Sequence, residues 1–142
     1  MIKKIAIIMA FDFGTKKIGI AIGQKITGTT QSLEILPSKF GIPNWKKIEH
    51  IFNVWKPNKL IVGLPLKMNG NTQHITLLSK RFAVQLTHRF KITVEMHDER
   101  FTTIEARSIY FQHFRYYYRK KTTPIDSIAA EIILKSWLNQ ND

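Results

Sequence analysis

The sequence predicts an α/β fold: one five-stranded mixed sheet, made of a three-strand meander followed by two βα crossovers, with helices on both faces. Three observations carry this expectation. The first segments, "KKIAIIMAFDF", "KIGIAIG" and "GTTQSLEIL", are strand-like and separated only by short links. Beyond them, amphipathic helical patterns alternate with the short apolar runs "NKLIVGLPL" and "KITVEMH". Finally, the 142 residues contain no internal repeat and no linker long enough to divide them, so one domain over 1–142 is expected.

The first strand is apolar on both alternating sets, Ile5/Ile7/Met9/Phe11 and Ala6/Ile8/Ala10, as a central strand covered on both faces should be. "GTK" turns the chain into the second strand, and the third follows after a short link. In "PNWKKIEHIFNVWKP", Trp45, Ile48, Ile51, Phe52 and Trp55 recur at helical spacing, with Asn44 placed to cap and Pro57 to stop. The fourth strand, "NKLIVGLPL", runs into the loop "KMNGN". From Thr72, Ile75, Leu78, Phe82, Leu86 and Phe90 mark a second amphipathic helix. Ile92, Val94 and Met96 alternate in the fifth strand. "TTIEA" then offers a capping box, Thr102 with Glu105, for a helix reaching about Phe111 or His113. "RYYYRKKTT" reads as a basic, aromatic loop over 113–123. "TPIDSIAAEIILKSWL" reads as the last helix, with Thr123 as cap and Pro124 as first residue.

Charge is the departure from an ordinary globular composition: 22 Lys and Arg against 10 Asp and Glu, a formal net charge of +12. Such a surplus favours a polyanionic partner, above all nucleic acid. There is no cysteine, hence no disulfide and no thiolate metal site, which fits a reducing compartment. "MIKKIAIIMAF" has the lysines and apolar run of a signal peptide but ends at Asp12 without a small-residue cleavage site, so a strand explains it better. No stretch approaches the roughly 18 apolar residues of a membrane span, and a cytoplasmic protein without membrane contact is expected.

The acidic residues carry the chemistry. Asp12 ends the first strand, and right-handed crossovers would make strands four and five parallel to it. Their C-terminal ends then share one sheet edge, bringing Asp12 toward the Asp98–Glu99 pair. A lone aspartate there also fits a plain turn before Gly14. Asp98 and Glu99 also fit an acidic pair at a helix start, bound to Arg100. By alternation they point to opposite faces, and the sequence leaves open which one faces Asp12. Asp126 fits a capping role in "TPID", yet it falls on the helix face of Ile125, Ala129, Ala130, Ile133 and Trp137, away from a polar stripe of Ser127, Glu131 and Lys135. Carboxylates converging on one edge are hard oxygen ligands suited to Mg²⁺ or Mn²⁺. Two such ions would cleave phosphodiesters by activating water and stabilising the leaving oxygen. Lys16, Lys17 and Arg100 flank the acids and could hold phosphate oxygens. The five histidines show no metal-ligand spacing and read as structural or surface residues.

"FDFGTKKIGIAIG", "IVGLPLKMNGN", "DERFTTIEA" and "IDSIAAEIIL", in this order over essentially the whole chain, resemble the YqgF (RuvX) family. The resemblance implies a ribonuclease H-like fold and a metal-dependent nuclease that matures the 5′ end of pre-16S rRNA in ribosome biogenesis. Carried over by position, Asp12, Glu99 and Asp126 are the catalytic acids, with Asp98 in the same block as a metal-ligand candidate. Gly63, Leu64, Pro65, Asn69 and Gly70 match a loop beside the site and, with Lys16, Lys17 and Arg100, are the substrate-binding candidates. The chain departs from the family in having Lys16-Lys17 where Lys-Arg is usual, which removes a bidentate phosphate contact. It departs again in having "FRYYYRKKTTP" where a glycine-bearing segment is common. Two rival readings share the fold: a Holliday-junction-resolvase-like DNA endonuclease acting on branched DNA, and a non-catalytic nucleic-acid-binding module. An actin-like or sugar-kinase ATPase would need a second domain and a glycine-rich adenosine loop. No dimer signature stands out, and a monomer or weak homodimer is expected.

Overall fold

The computed structural model describes residues 6–119 and 127–141. Strand β1 (Ile7–Asp12) pairs antiparallel with β2 (Lys17–Gln24), and β2 pairs with both β3 (Thr30–Ser32) and β4 (Leu36–Lys39). A two-residue turn joins β4 to β5 (Ile42–Pro43). Helix α1 (Trp45–Trp55) leads to β6 (Lys59–Leu64), and α2 (His74–Phe90) leads to β7 (Val94–Asp98). Both crossovers produce the expected parallel pairs, Phe11 opposite Val62 and Leu64 opposite Asp98. After one 3₁₀ turn (Glu99–Phe101) come α3 (Ile104–Arg119) and α4 (Ile128–Gln140). The sheet order is β5-β4-β2-β1-β6-β7.

Alternation along β1 assigns its two faces. Met9 and Phe11 enter a large core with Ile18, Ile20, Leu60, Val62 and the α2 residues Phe82 and Leu86, which α1 closes with Ile48 and Ile51. Ile8 and Ala10 face the other way and pack with Ala21 and Ile61 against Ala130, Ile133, Leu134 and Trp137 of α4. Small residues in the middle strands let α4 lie close to the sheet: a Cβ on Gly63 would stand only 2.6 Å from Ile133 Cδ1.

Four expectations need correction. The sheet has seven strands rather than five, because the third segment breaks after Ser32 and the chain then adds the β4–β5 hairpin. The aromatic stretch read as a loop from 113 is helical to Arg119. Its apolar side is held down by Phe114, packed with Ile128 and Ile132 of α4 and flanked by Tyr110 and Tyr118. The cap of α3 is Thr103, whose Oγ1 accepts from Ala106 N at 3.0 Å, whereas Thr102 closes the preceding turn on Glu99 O. The polar stripe of α4 is not solvated at Ser127 or Glu131, both buried. Ser127 Oγ accepts from Ile20 N at 2.9 Å, and Glu131 accepts from Thr30 Oγ1 (2.6 Å), Ser32 Oγ (2.7 Å) and Tyr118 OH (2.7 Å). Helix α4 is covered by the sheet, β3 included, and by α3, so its polar residues have to find partners inside. Thr123 and Pro124, expected to start it, lie outside the described residues.

Candidate active site

The site lies where β1, β6 and β7 end together. Asp12 is the last residue of β1 and continues the Ile8–Ala10 face, so its carboxylate points to the α4 side of the sheet. In β7, Met96 packs into the α1–α2 core, which leaves Glu95 and His97 on the α4 side. Glu99 follows in the 3₁₀ turn and lines one cavity of about 510 Å³ with Asp12, His97, Arg107 and Ser136. Between β1 and β7 runs β6, and the register puts Gly63 level with His97 and one residue beyond the Phe11–Val62 pair. Having no side chain there, β6 leaves the two carboxylates open to each other; a Cβ on Gly63 would lie 3.2 Å from Glu99 Oε2.

Neither carboxylate accepts a hydrogen bond from any described residue, and both resist ionisation. Burial, opposed by the charge of Lys17, pushes Asp12 from 3.8 up to about 6. Burial, then the Asp12 charge, pushes Glu99 from 4.5 up to about 7, while Arg107 pulls the other way. Two partly dehydrated acids facing each other, with no donor among the described residues, are a site suited to added positive charge. This donor set fits a hard divalent cation. Among the described residues there is no group of three potential metal ligands; Asp126, the remaining candidate, lies outside them.

The other candidates fall around this pair rather than in it. Asp98 is turned to Arg100: Nη2 donates to Oδ2 at 2.6 Å, Nε reaches both oxygens, and the backbone N–H donates to Oδ1 at 2.9 Å. Those bonds hold the Asp98 carboxyl below its usual range. Arg100 also rests against the loop after β6, its Nη1 3.5 Å from Met68 O and 3.2 Å from where a Gly70 Cβ would stand. Gly70 has φ +89° in a turn closed by Lys67 O, a conformation that favours glycine. Asn69 Oδ1 accepts from Asn71 N, and the Pro65 carbonyl accepts from Thr76 Oγ1 at the start of α2. These residues therefore shape the loop and tie it to α2. Lys16 and Lys17 are exposed on the β1–β2 turn, and Lys17 also borders a smaller cavity beside Asp12.

Two residues escaped the sequence reading. His97 is buried, its Nε2 2.9 Å from Ser136 Oγ and its ring stacked on Phe101; burial lowers its pKa and favours the neutral ring. The alternation that leaves Glu99 on the α4 side carries His97 with it, so parity alone could have found it. Arg107 lies across the cavity on α3. Its Nη2 donates to Thr102 O at 3.3 Å, and its buried Nε has no hydrogen-bond partner among the described residues. Nothing in sequence spacing marks it, since α3 meets the site only through tertiary packing.

Comparison with known proteins gives a consistent result. The model of the family RuvX, described as Holliday junction resolvase, matches residues 6–140. A protein of Blochmanniella pennsylvanica named "Putative pre-16S rRNA nuclease" is 53% identical over 141 residues, covering 96% of each chain. Proteins of the same name from Wigglesworthia glossinidia brevipalpis and Haemophilus influenzae are each 50% identical over more than 90% of both chains. Among solved structures, Thermus thermophilus RuvC in complex with a Holliday junction superposes with a TM-score of 0.61 at 10% identity, covering 96% of this chain and 95% of that one. The fowlpox virus resolvase does so with a TM-score of 0.52 at 16% identity, covering 94% and 99%. At those identities the likeness is one of fold, and it bears out the ribonuclease H-like architecture.

Proposed function

This chain belongs to the RuvX family, and from that premise we propose that it is a divalent-metal-dependent nuclease that trims the 5′ end of pre-16S rRNA. The observation that carries the reading is the facing pair Asp12 and Glu99, partly buried at the shared end of three parallel strands with no donor to their carboxylates among the described residues. Asp12, Glu99 and Asp126 would hold Mg²⁺ or Mn²⁺, two ions in the full site. When bound, the metal supplies a Lewis acid that lowers the pKa of water and stabilises the departing oxygen.

The rest of the chemistry belongs to the protein. Gly63 leaves room for the Glu99 carboxylate beside the strand, where it accepts no hydrogen bond from a described residue. His97, neutral and engaged with Ser136, forms a wall of the cavity and brings no competing charge. Arg107 favours the ionised form of Glu99 and lines the same cavity, where its cation would meet a phosphate oxygen. Lys16 and Lys17 hold the flanking phosphates. The Asp98–Arg100 pair acts one step away, pinning the loop of Asn69 and Gly70 at the rim. Curated relatives at about half identity carry the pre-16S rRNA name, which favours RNA over branched DNA as substrate. No described helix is long and apolar enough to cross a membrane, and the whole of 1–142 serves as one nuclease domain acting where ribosomes are assembled, in the cytoplasm.

The test is cleavage of an end-labelled pre-16S leader with Mg²⁺ or Mn²⁺, beside a four-way DNA junction. Metal-dependent cleavage of the leader, lost in Asp12→Asn, is the expected result. Undiminished cleavage by that variant would sink the metal-site reading, and cutting of the junction alone would transfer the activity to DNA.

A further inference from the structure

The β4–β5 hairpin carries a feature that the acids do not explain. Its two-residue turn is Phe40-Gly41, with φ 51° at Phe40 and 81° at Gly41, the backbone pattern of a type I′ turn. Position one of such a turn favours Asn, Asp or Gly, and a bulky side chain there is strained. The same phenylalanine is 98% exposed. Neither turn preference nor burial accounts for an aromatic ring at this place, and both would be served better by asparagine.

The hairpin is also firmly placed. Ser38 N donates to Lys16 O at 2.8 Å, Gly41 N donates to Thr15 O at 3.0 Å, and Gly41 lies over the buried Phe13 ring. Its tip is thus bonded to the turn that follows Asp12, on the same edge of the sheet as the acids. Thr15 is three residues beyond Asp12, a chain distance of at most roughly 10 Å. Lys39 directly precedes Phe40, exposed Lys16 and Lys17 lie on the turn to which the hairpin is bonded, and Ile42 in the same hairpin is 67% exposed. A solvent-facing aromatic ring on a fixed hairpin, with lysines on the adjoining backbone, matches a single nucleic acid strand, which offers a base face to the ring and phosphates to the lysines.

We propose that Phe40 is a stacking platform for an unpaired base of the substrate strand flanking the scissile bond. The proposal rests on the nuclease reading, and it adds a specificity residue outside the acid cluster. Stacking on the hairpin would select single-stranded over paired RNA at that position, because a base within a duplex has both faces covered.

The experiment measures binding of a short fluorescein-labelled single-stranded RNA in chelator, where cleavage cannot occur, for the native protein and for Phe40→Asn, Phe40→Ala and Phe40→Tyr. A second RNA carries 2-aminopurine, whose emission drops when it stacks. Phe40→Asn should fold at least as well as the native chain, judged by melting temperature, and should bind about tenfold more weakly. It should also lose the 2-aminopurine quenching, and Phe40→Tyr should restore both. Binding by Phe40→Asn within twofold of native, with quenching retained, would overturn the platform while leaving the nuclease reading intact if the native protein still cleaves. Conversion of a dimer to a monomer by Phe40→Asn at unchanged RNA affinity would overturn it in favour of self-association. A native protein that neither binds nor cleaves RNA would overturn both.

Discussion

Removing the charge of Asp12 should stabilise the metal-free protein at neutral pH while destroying its activity. Asp12 is held at about 6 in the fold against 3.8 ordinarily, chiefly by burial. The folded state therefore binds its proton more tightly than the unfolded chain does. Stability falls as pH rises from about 4 to 6, and the loss is complete above the folded value. Ionising the group in place costs about 3 kcal/mol, an upper bound because the site relaxes and water enters it. Glu99, raised to about 7, adds a cost of the same sign, but part of it comes from Asp12 itself, so the two do not sum. Asp12→Asn keeps the shape and removes the charge. In chelator at about pH 7.5 its gain should be roughly 2–3 kcal/mol, a rise of several degrees in Tm for a chain of this size. Near pH 4 the gain should shrink below about 1 kcal/mol. The assay is a set of thermal melts by circular dichroism across that pH range, repeated with Mg²⁺. Added metal should raise the Tm of the native protein and leave the variant nearly unmoved. A variant less stable than native at neutral pH in chelator, or an advantage that does not change with pH, would refute the reasoning.

Three further outcomes follow from the packing. Gly63→Ala places a Cβ 2.6 Å from Ile133 Cδ1 and 3.2 Å from Glu99 Oε2, and should lower both activity and stability, the latter by about 1–3 kcal/mol in urea unfolding; Ile133→Val in the same chain should recover stability. Arg107→Ala removes the charge that lowers the Glu99 pKa, so the acidic limb of the pH–rate profile should move to higher pH, whereas Arg107→Lys should leave it near its place. Glu131→Ala strips Thr30, Ser32 and Tyr118 of a shared buried acceptor and should cost about 2–4 kcal/mol, read by chemical denaturation. Equal stability of that variant would mean those hydroxyls find water instead.

Much of the site could be read along the chain. The parallel crossovers placed Asp12 on a definite edge of the sheet, and the helices flanking β6 appeared in their periodicity. Alternation also separated Asp98 from Glu99, but a strand's pattern carries no sign: it divides two faces without saying which one meets α4. Met96 decides this by entering the α1–α2 core, which sends Glu99 toward Asp12 and leaves Asp98 to Arg100. The β4–β5 hairpin was hidden because "LPSKFGIP" has two prolines and too few residues for a strand signal, and its pairing depends on the neighbouring β2.

By itself the sequence determined the local states and the chemical kind of the candidate site: strands with two apolar faces, capped amphipathic helices, carboxylates toward one sheet edge and a cationic composition. These depend on neighbours a few residues apart, where periodicity and capping act. Tertiary structure alone decided what depends on neighbours a hundred residues apart. Helix α4 could expose Ser127 and Glu131 by its own pattern, yet β3 and α3 bury them and supply their hydrogen bonds. The tyrosines after His113 look like a loop until Phe114 and Tyr118 find α4. The raised pKa values of Asp12 and Glu99 likewise arise only when distant strands end side by side, because desolvation and Coulomb repulsion act through space, not along the chain.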